Sequence, residues 1–312
     1  KVRDLVKGDV TFNNDELEDL VLARTDGSLT YNFVVVVDDV DMKITHVIRG
    51  DDHLNNTPKQ ILLYEALGSP IPLFAHVQLI LGQDKQRLSK RHGATSVQSY
   101  RDELGYLPEA MNNFLVRLGW SHGDQEIFGM EELIQMFDLE HIGKSAGVFN
   151  QEKLLWLNQH YMKSVPYEAL IGAMERFVTI TPAQKADPAT RKLIDALRER
   201  SKTVKEMVDL SRFHFVDEVV YDEKAKAQHL VPEIRGALAA LAQGLGALPS
   251  LDEANAKPVF EKTLADHNLK LKDLAQPVRV ALTGGTISPG IYELLELLGK
   301  GRASAPLGRA AS

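Results

Sequence analysis

Cysteine is absent from these 312 residues, which excludes disulfides, thiolate catalysis and any thiolate-ligated zinc within them. Long apolar runs are absent too. Runs such as Phe33–Val37 have only the length of a strand, whereas a membrane span needs roughly 20 apolar residues, so no membrane partner is expected. The amino terminus lacks the charged, apolar and small-residue pattern of a secretory leader. An excess of positive charge, the plainest sign of a nucleic-acid partner, is missing as well: the net charge is −7. What remains is ordinary globular composition, 44% hydrophobic and 25% charged. A cytoplasmic enzyme fits it.

The charge is unevenly spread. Residues 1–165 hold 16 Lys and Arg against 24 Asp and Glu, and residues 166–312 hold 20 against 19. Phosphate contacts need local positive patches rather than global basicity. The asymmetry therefore fits an RNA-facing second half, and equally a plain difference in surface composition. A chain this long is expected to form two or three domains. It opens at Lys1, and KVRDLVKGDVTF reads like the interior of a protein, so a fragment or a processed product is expected.

Residues 32–84 have an α/β pattern. The β-branched run NFVVVV reads as a strand buried on both faces of a parallel sheet, and KITHVIRG as a second one ending at Gly50. Thr57 and Pro58 suit a helix start, Ile61, Leu62, Tyr64 and Leu67 follow at helical spacing, and Gly68 stops the helix. FAHVQLILG makes a third strand. Strand, strand, helix, strand is half of a doubly wound sheet, and half a sheet leaves an edge to be covered. From about residue 95 the period turns helical and stays so, through PEAMNNFLVRLGW, EELIQMF, QEKLLWLNQHYM, RKLIDALRERSKTVKEMVDLSRF and SPGIYELLELLGKGRA. The expected fold class is α/β followed by all-α.

The sharpest chemical feature is Asp84-Lys85-Gln86-Arg87-Leu88-Ser89-Lys90-Arg91-His92-Gly93, directly after the third strand. Ligands bind α/β sheets at the carboxyl ends of their strands. Cations there could neutralise a triphosphate, most of all as negative charge rises on the reacting phosphate. From charge alone, a solvated basic loop is the commoner alternative.

RLSKR resembles the KMSKS motif of class I aminoacyl-tRNA synthetases, in its bacterial glutamate-specific form. TDGSLTYNFVVVVDDVDMKITHVIRGDDHLNNTPKQ, LPEAMNNFLVRLGWSHGDQEIF, FNQEKLLWLNQHY and ALTGGTISPGIYELLELLGK are similar to stretches of the same family, in the same order, and span nearly the whole chain. The resemblance implies the second half of a Rossmann-like catalytic domain followed by helical stem-contact and helical anticodon-binding domains. On that basis residues 1–31 end a connective, acceptor-binding insertion, and 32–94 form the catalytic half with the RLSKR loop. Residues 95–165 contact the tRNA stem, while 166–222 and 223–312 form two anticodon-binding subdomains. It also implies a glutamate–tRNA ligase whose partners are ATP with Mg2+, L-glutamate and tRNA(Glu), acting as a cytoplasmic monomer.

Residue by residue, Lys90 matches the motif's second lysine, which contacts the ATP phosphates, and Arg87 stands where many members have the first. These two are the implied catalytic cations, although arginine keeps the charge without the compact ammonium geometry. Ser89 and Arg91 complete the ATP loop, Leu79 and Ile80 match backbone contacts to adenine, and His53 falls where the family packs a side chain near ATP. Tyr31 and Arg49 match the glutamate pocket, where a guanidinium fork suits a carboxylate. Without the family, Arg49 would be expected to pair with Asp51 or Asp52. Arg200 matches an arginine presented to the anticodon. Arg279 with Ser288, Pro289 and Ile291 matches a second anticodon-contacting segment, whose proline and apolar residue could stack on unpaired bases.

Other signals carry less. Arg198, Arg200, Lys202, Lys205 and Arg212 form a basic stripe that a helix face paired with Glu199 and Glu206 would equally explain. Asp38, Asp39 and Asp41 suggest a magnesium cluster, but neighbours on a strand point to opposite faces, so no dedicated metal site is expected. His141-Ile142-Gly143-Lys144 mimics the family's HIGH signature yet follows the lysine loop instead of preceding it, and is set aside. Two alternatives to the ligase remain at this point. A tRNA-modifying or glutamine-specific relative is disfavoured by the helical second half, and an RNA-binding piece with negligible adenylation activity of its own is the other.

Overall fold

The computed structural model describes residues 1–89, 96–216 and 218–311. They fall into two compact units, one from the described residues of 1–95 and 109–157, the other from those of 96–108 and 158–312.

The first unit is organised by a four-stranded mixed sheet of order β2-β1-β4-β3. β1 (Val2–Asp4) turns back antiparallel onto β2 (Gly8–Val10) and runs parallel to β4 (Leu73–Val77). β4 runs parallel to β3 (His46–Gly50), with Arg49 opposite His76. Parallel neighbours need a crossover, and α2 (Thr57–Ala66) supplies it, with Pro58 in its first turn. Phe74, Ala75 and His76 are buried in succession, as a central strand covered on both faces requires.

The NFVVVV run is not a strand. It lies within α1, Tyr31–Asp41. Valine is a poor helix former because its branched carbon is confined against the preceding turn. Burial outweighs that local cost: Phe33, Val36 and Val40 pack with Leu63, Tyr64 and Phe74, while Val34 and Val37 stay exposed. The helical period is therefore present, but hidden by β-branched residues on the outer face. Asp38 and Asp39 accordingly sit on a helix, and Asp39 accepts the Tyr64 hydroxyl at 2.9 Å. The expected third strand is also shorter. It ends at Val77, after which the chain forms a tight hairpin with Leu88 N–H donating to Ile80 O and Lys85 at φ +60°. Next along the chain come α3 (Val97–Asp102), which belongs to the second unit, α4 (Pro108–Arg117) and α5 (Met130–Met136) of the first, and α6 (Gln151–Ser164), whose residues from 158 onward belong to the second. In the first unit, Trp120, Phe128 and Leu133 form a second small core.

The second unit is helical: α7 (Tyr167–Met174), α8 (Pro182–Ala186), α9 (Pro188–Arg198), α10 (Val204–Phe215), α11 (Glu223–His229), α12 (Arg235–Ala247), α13 (Glu253–Asp266), α14 (Leu271–Thr283) and α15 (Ile291–Ala311), the last broken at Gly299. Asp187, Thr203, Asp222 and Asp252 each accept a first-turn backbone N–H, satisfying donors that a helix start leaves unpaired. Leu193, Leu197, Met207, Leu241, Phe260 and Val278 are fully buried in its core. α14 ends at Gly284 in the left-handed region, φ +83°, the conformation glycine adopts without a steric penalty. Among the described residues no helix is long and apolar enough to cross a membrane.

Candidate amino-acid and RNA sites

Arg49 projects from the carboxyl half of β3, opposite His76 on β4. Its Nε donates to His76 Nε2 at 3.1 Å, and its Nη2 donates to Thr57 Oγ1 and Gln60 Oε1, each at 2.8 Å, and to the His53 carbonyl at 3.4 Å. Every one of these partners is neutral. The two nearby acids expected to pair with it are engaged elsewhere: Asp51 accepts Lys7 at 2.7 Å and Asp52 accepts Arg87 at 2.9 Å. Among the described residues Arg49 has no carboxylate within ion-pairing distance, and the Tyr31 hydroxyl adds one more neutral neighbour. Burial lowers its pKa from the usual arginine range, yet a guanidinium stays protonated throughout. A half-buried cation held by neutral acceptors is a site for an anion.

Two further elements close around it. Tyr31 opens α1, and its hydroxyl lies 3.4 Å from Nδ1 of His53, which sits in the turn between β3 and α2. Gln60, behind Arg49, donates to Asn32 at 2.9 Å and so ties α2 to the first turn of α1. Tyr31 is half exposed.

The basic hairpin begins at Ile80 and presents Arg87, exposed, to Asp52. Leu79 and Ile80 are half-buried at its base. Ser89 is exposed, while Lys90 and Arg91 lie outside the described residues. His141, the false signature, is exposed and pairs with Asp138 at 2.7 Å.

In the second unit, the cations of the basic stripe divide into held and free. Arg198 donates to the Lys163 and Val165 carbonyls, and Lys205 and Arg212 share Asp209. The expected pairing with Glu199 and Glu206 does not form, since Glu199 takes Lys163 and Glu206 accepts the backbone N–H of Lys202. Arg200 and Lys202 are exposed, with no acidic partner among the described residues. Arg279 donates from Nε to Ser288 Oγ at 2.7 Å, which fixes the loop leading into α15. Pro289 and Ile291 are buried, so they are not free to stack on a base; the exposed apolar residue of that loop is Ile287, at 68%.

Residues 1–156 match the family model for the catalytic domain of class I tRNA synthetases (E and Q), and residues 161–311 match that of an anticodon binding domain. The chain belongs to the class I glutamate and glutamine tRNA synthetase family. It is 54% identical over 311 residues to a glutamate–tRNA ligase of Geobacter sulfurreducens, covering 98% of this chain and 66% of that protein. To a glutamate–tRNA ligase 1 of Syntrophus aciditrophicus it is 53% identical over 309 residues, covering 99% and 65%. Among solved structures, a glutamate tRNA ligase from Elizabethkingia meningosepticum, crystallised in complex with its amino acid, superposes with a TM-score of 0.72 at 32% identity, over 99% of this chain and 65% of that one. The chain thus spans about two thirds of the length of these relatives.

Within this family frame the fold brings Tyr31, Arg49 and His53 together, and it sets Arg87 near them through Asp52. Sequence reasoning missed His76, Gln60, Thr57 and Asn32, which hold Arg49 in place. Only the alternation within AHV hinted at His76, and a lone histidine in a strand usually has a structural role.

Proposed function

We propose that this chain is the greater part of a glutamate–tRNA ligase, which activates L-glutamate with ATP to glutamyl-adenylate and transfers the acyl group to the 3′ end of tRNA(Glu). The observation that carries this is Arg49, a half-buried guanidinium without a carboxylate partner among the described residues. Such a guanidinium suits the side-chain carboxylate of glutamate, with the Tyr31 hydroxyl as a second donor and His53 bordering the nucleotide. Lys90 and Arg87 would neutralise the phosphates of Mg2+-bound ATP, with Ser89 in the same loop and Leu79 and Ile80 offering backbone groups to adenine. Arg87 would leave Asp52 for the phosphates, a cheap exchange for an exposed ion pair. The adenylate is already activated, so acyl transfer needs positioning more than a side-chain nucleophile.

The helical unit supports RNA reading. Arg200 and Lys202 present uncommitted charge, and the Arg279–Ser288 loop presents Ile287 as an apolar surface for a base. The domain limits at residues 31, 94, 165 and 222 belong to the same proposal, as do the cytoplasm and a monomeric state.

Glutamate-dependent ATP–pyrophosphate exchange by the full-length protein tests it. Arg49→Ala is expected to raise the glutamate KM by roughly 10- to 100-fold, the scale for removing a hydrogen bond to a charged group, with the ATP KM little changed. Arg49→Lys keeps the charge but loses the fork and should also bind glutamate weakly. An unchanged glutamate KM in Arg49→Ala would overturn the assignment.

A further inference from the structure

Three adjacent strands deliver three side chains in a row. β1 carries Asp4, β4 carries His76 and β3 carries Arg49; Arg49 and His76 are register partners, and Asp4 lies opposite Phe74, two residues before His76. Residues two apart share a face. The row is therefore built into the strand order rather than assembled by loops.

The protonation pattern of the row follows from its donors. Asp4 is a fully buried side chain that receives the backbone N–H groups of Val6, Lys7 and His76 at 2.8–3.2 Å. It also meets His76 Nδ1 at 2.5 Å. The backbone N–H groups can only donate to it, as suits a carboxylate, and the direction of the His76 Nδ1 contact is set from the other end of the row. Burial works against that charge, and the N–H donors from Lys7 and His76 more than offset it, holding its pKa below the usual value. At the other end, arginine can only donate, so His76 Nε2 must offer a lone pair to Arg49 Nε. The imidazole is then neutral with its proton on Nδ1, pointing at Asp4. Burial lowers its pKa, which agrees.

We propose that Asp4 and His76 are positioning residues for the proposed glutamate site: the Asp4 carboxylate fixes the Nδ1–H tautomer of His76, and His76 thereby clamps the Nε edge of Arg49. This rests on Arg49 being the glutamate-binding cation. The arrangement solves an electrostatic problem. A carboxylate in direct contact would compensate the buried guanidinium but occupy the edge a ligand needs. Relayed through a neutral imidazole, the Asp4 charge offsets the cation from behind and puts no carboxylate on the guanidinium itself.

The test uses Asp4→Asn. The Asp4 oxygen that accepts from Val6 and Lys7 must remain oxygen, so the amide NH2 of the variant faces His76 Nδ1. That inverts the tautomer, so that Nε2–H no longer accepts from Arg49 Nε and turns instead to the Thr57 hydroxyl oxygen 3.1 Å away, as the corresponding change inverts the histidine of a serine-protease triad. Nitrogen-15 chemical shifts of His76 in this chain are expected to report Nδ1–H in the unsubstituted protein and Nε2–H in Asp4→Asn. A wild-type His76 protonated on Nε2 at pH 7.5 would overturn the proposal whatever the enzyme binds. In the full-length protein, Asp4→Asn should raise the glutamate KM about tenfold or more, with the ATP KM unchanged. His76→Gln, whose amide oxygen can still accept from Arg49, should retain more affinity than His76→Ala. In an Arg49→Ala background, Asp4→Asn should have no further effect on glutamate. Additive effects in that double variant, or a wild-type glutamate KM in Asp4→Asn, would overturn it. A silent Arg49→Ala beside the predicted tautomers would instead sink the glutamate reading while leaving the clamp standing.

Discussion

His214 ends α10 in a setting that suits only a neutral ring. It is 2% exposed, its Nε2 meets Thr190 Oγ1 at 2.7 Å, and its Nδ1 is buried with no partner among the described residues. Burial foremost, with the Arg302 guanidinium beside its carbonyl, pushes its pKa down from 6.5 to about 4. Because the folded value lies below the unfolded one, the unfolded chain takes up the proton first as pH falls. The stability this residue confers is thus complete above about pH 6.5 and drains away as pH falls toward 4. Across that window, at about 1.4 kcal/mol per pH unit, the loss totals about 3 kcal/mol, with about 2 kcal/mol already gone at pH 5. Other groups titrate in the same range, so the informative quantity is the difference from a variant that cannot titrate. Urea unfolding of wild type and His214→Gln between pH 7.5 and 4 should show that difference shrinking by about 2–3 kcal/mol on acidification. Proton NMR should find the ring resonance of His214 still above pH 5. A constant difference across the series, or a ring titrating near 6.5, would refute the reasoning.

Two further outcomes are expected. A Cβ on Gly284 would lie 2.0 Å from the Val220 carbonyl oxygen at φ +83°, so Gly284→Ala should cost about 3 kcal/mol or more. Calorimetry should then show Tm reduced by roughly 10 °C, and a Tm within 2 °C or so of wild type would mean the helix end yields easily. Arg200→Ala should weaken tRNA binding by the full-length protein while lowering the slope of log K against log salt by about one, the signature of one lost phosphate contact. A steep slope identical to wild type would remove Arg200 from the RNA-facing surface.

The class of this protein was legible from local sequence alone, because class depends on features that are local in the chain. The helical period from residue 95 onward, the helix start at Thr57 and Pro58, and the short strand at 46–50 act over a few residues, and the described residues contain each of them. The RLSKR loop and the motifs around Tyr31 and Arg49 marked the family for the same reason. What tertiary structure decided was everything that depends on partners distant in sequence. Four consecutive valines read as a strand until Val36 finds Tyr64 and Phe74 to bury against. Asp51 and Asp52 looked like the partners of Arg49 until Lys7 and Arg87 claimed them from 44 and 35 residues away. Asp4 and His76, separated by 72 residues, became neighbours only when parallel pairing set β1 against β4. Propensity is a property of one stretch of chain, whereas the protonation and freedom of a side chain are set by whatever the fold places beside it.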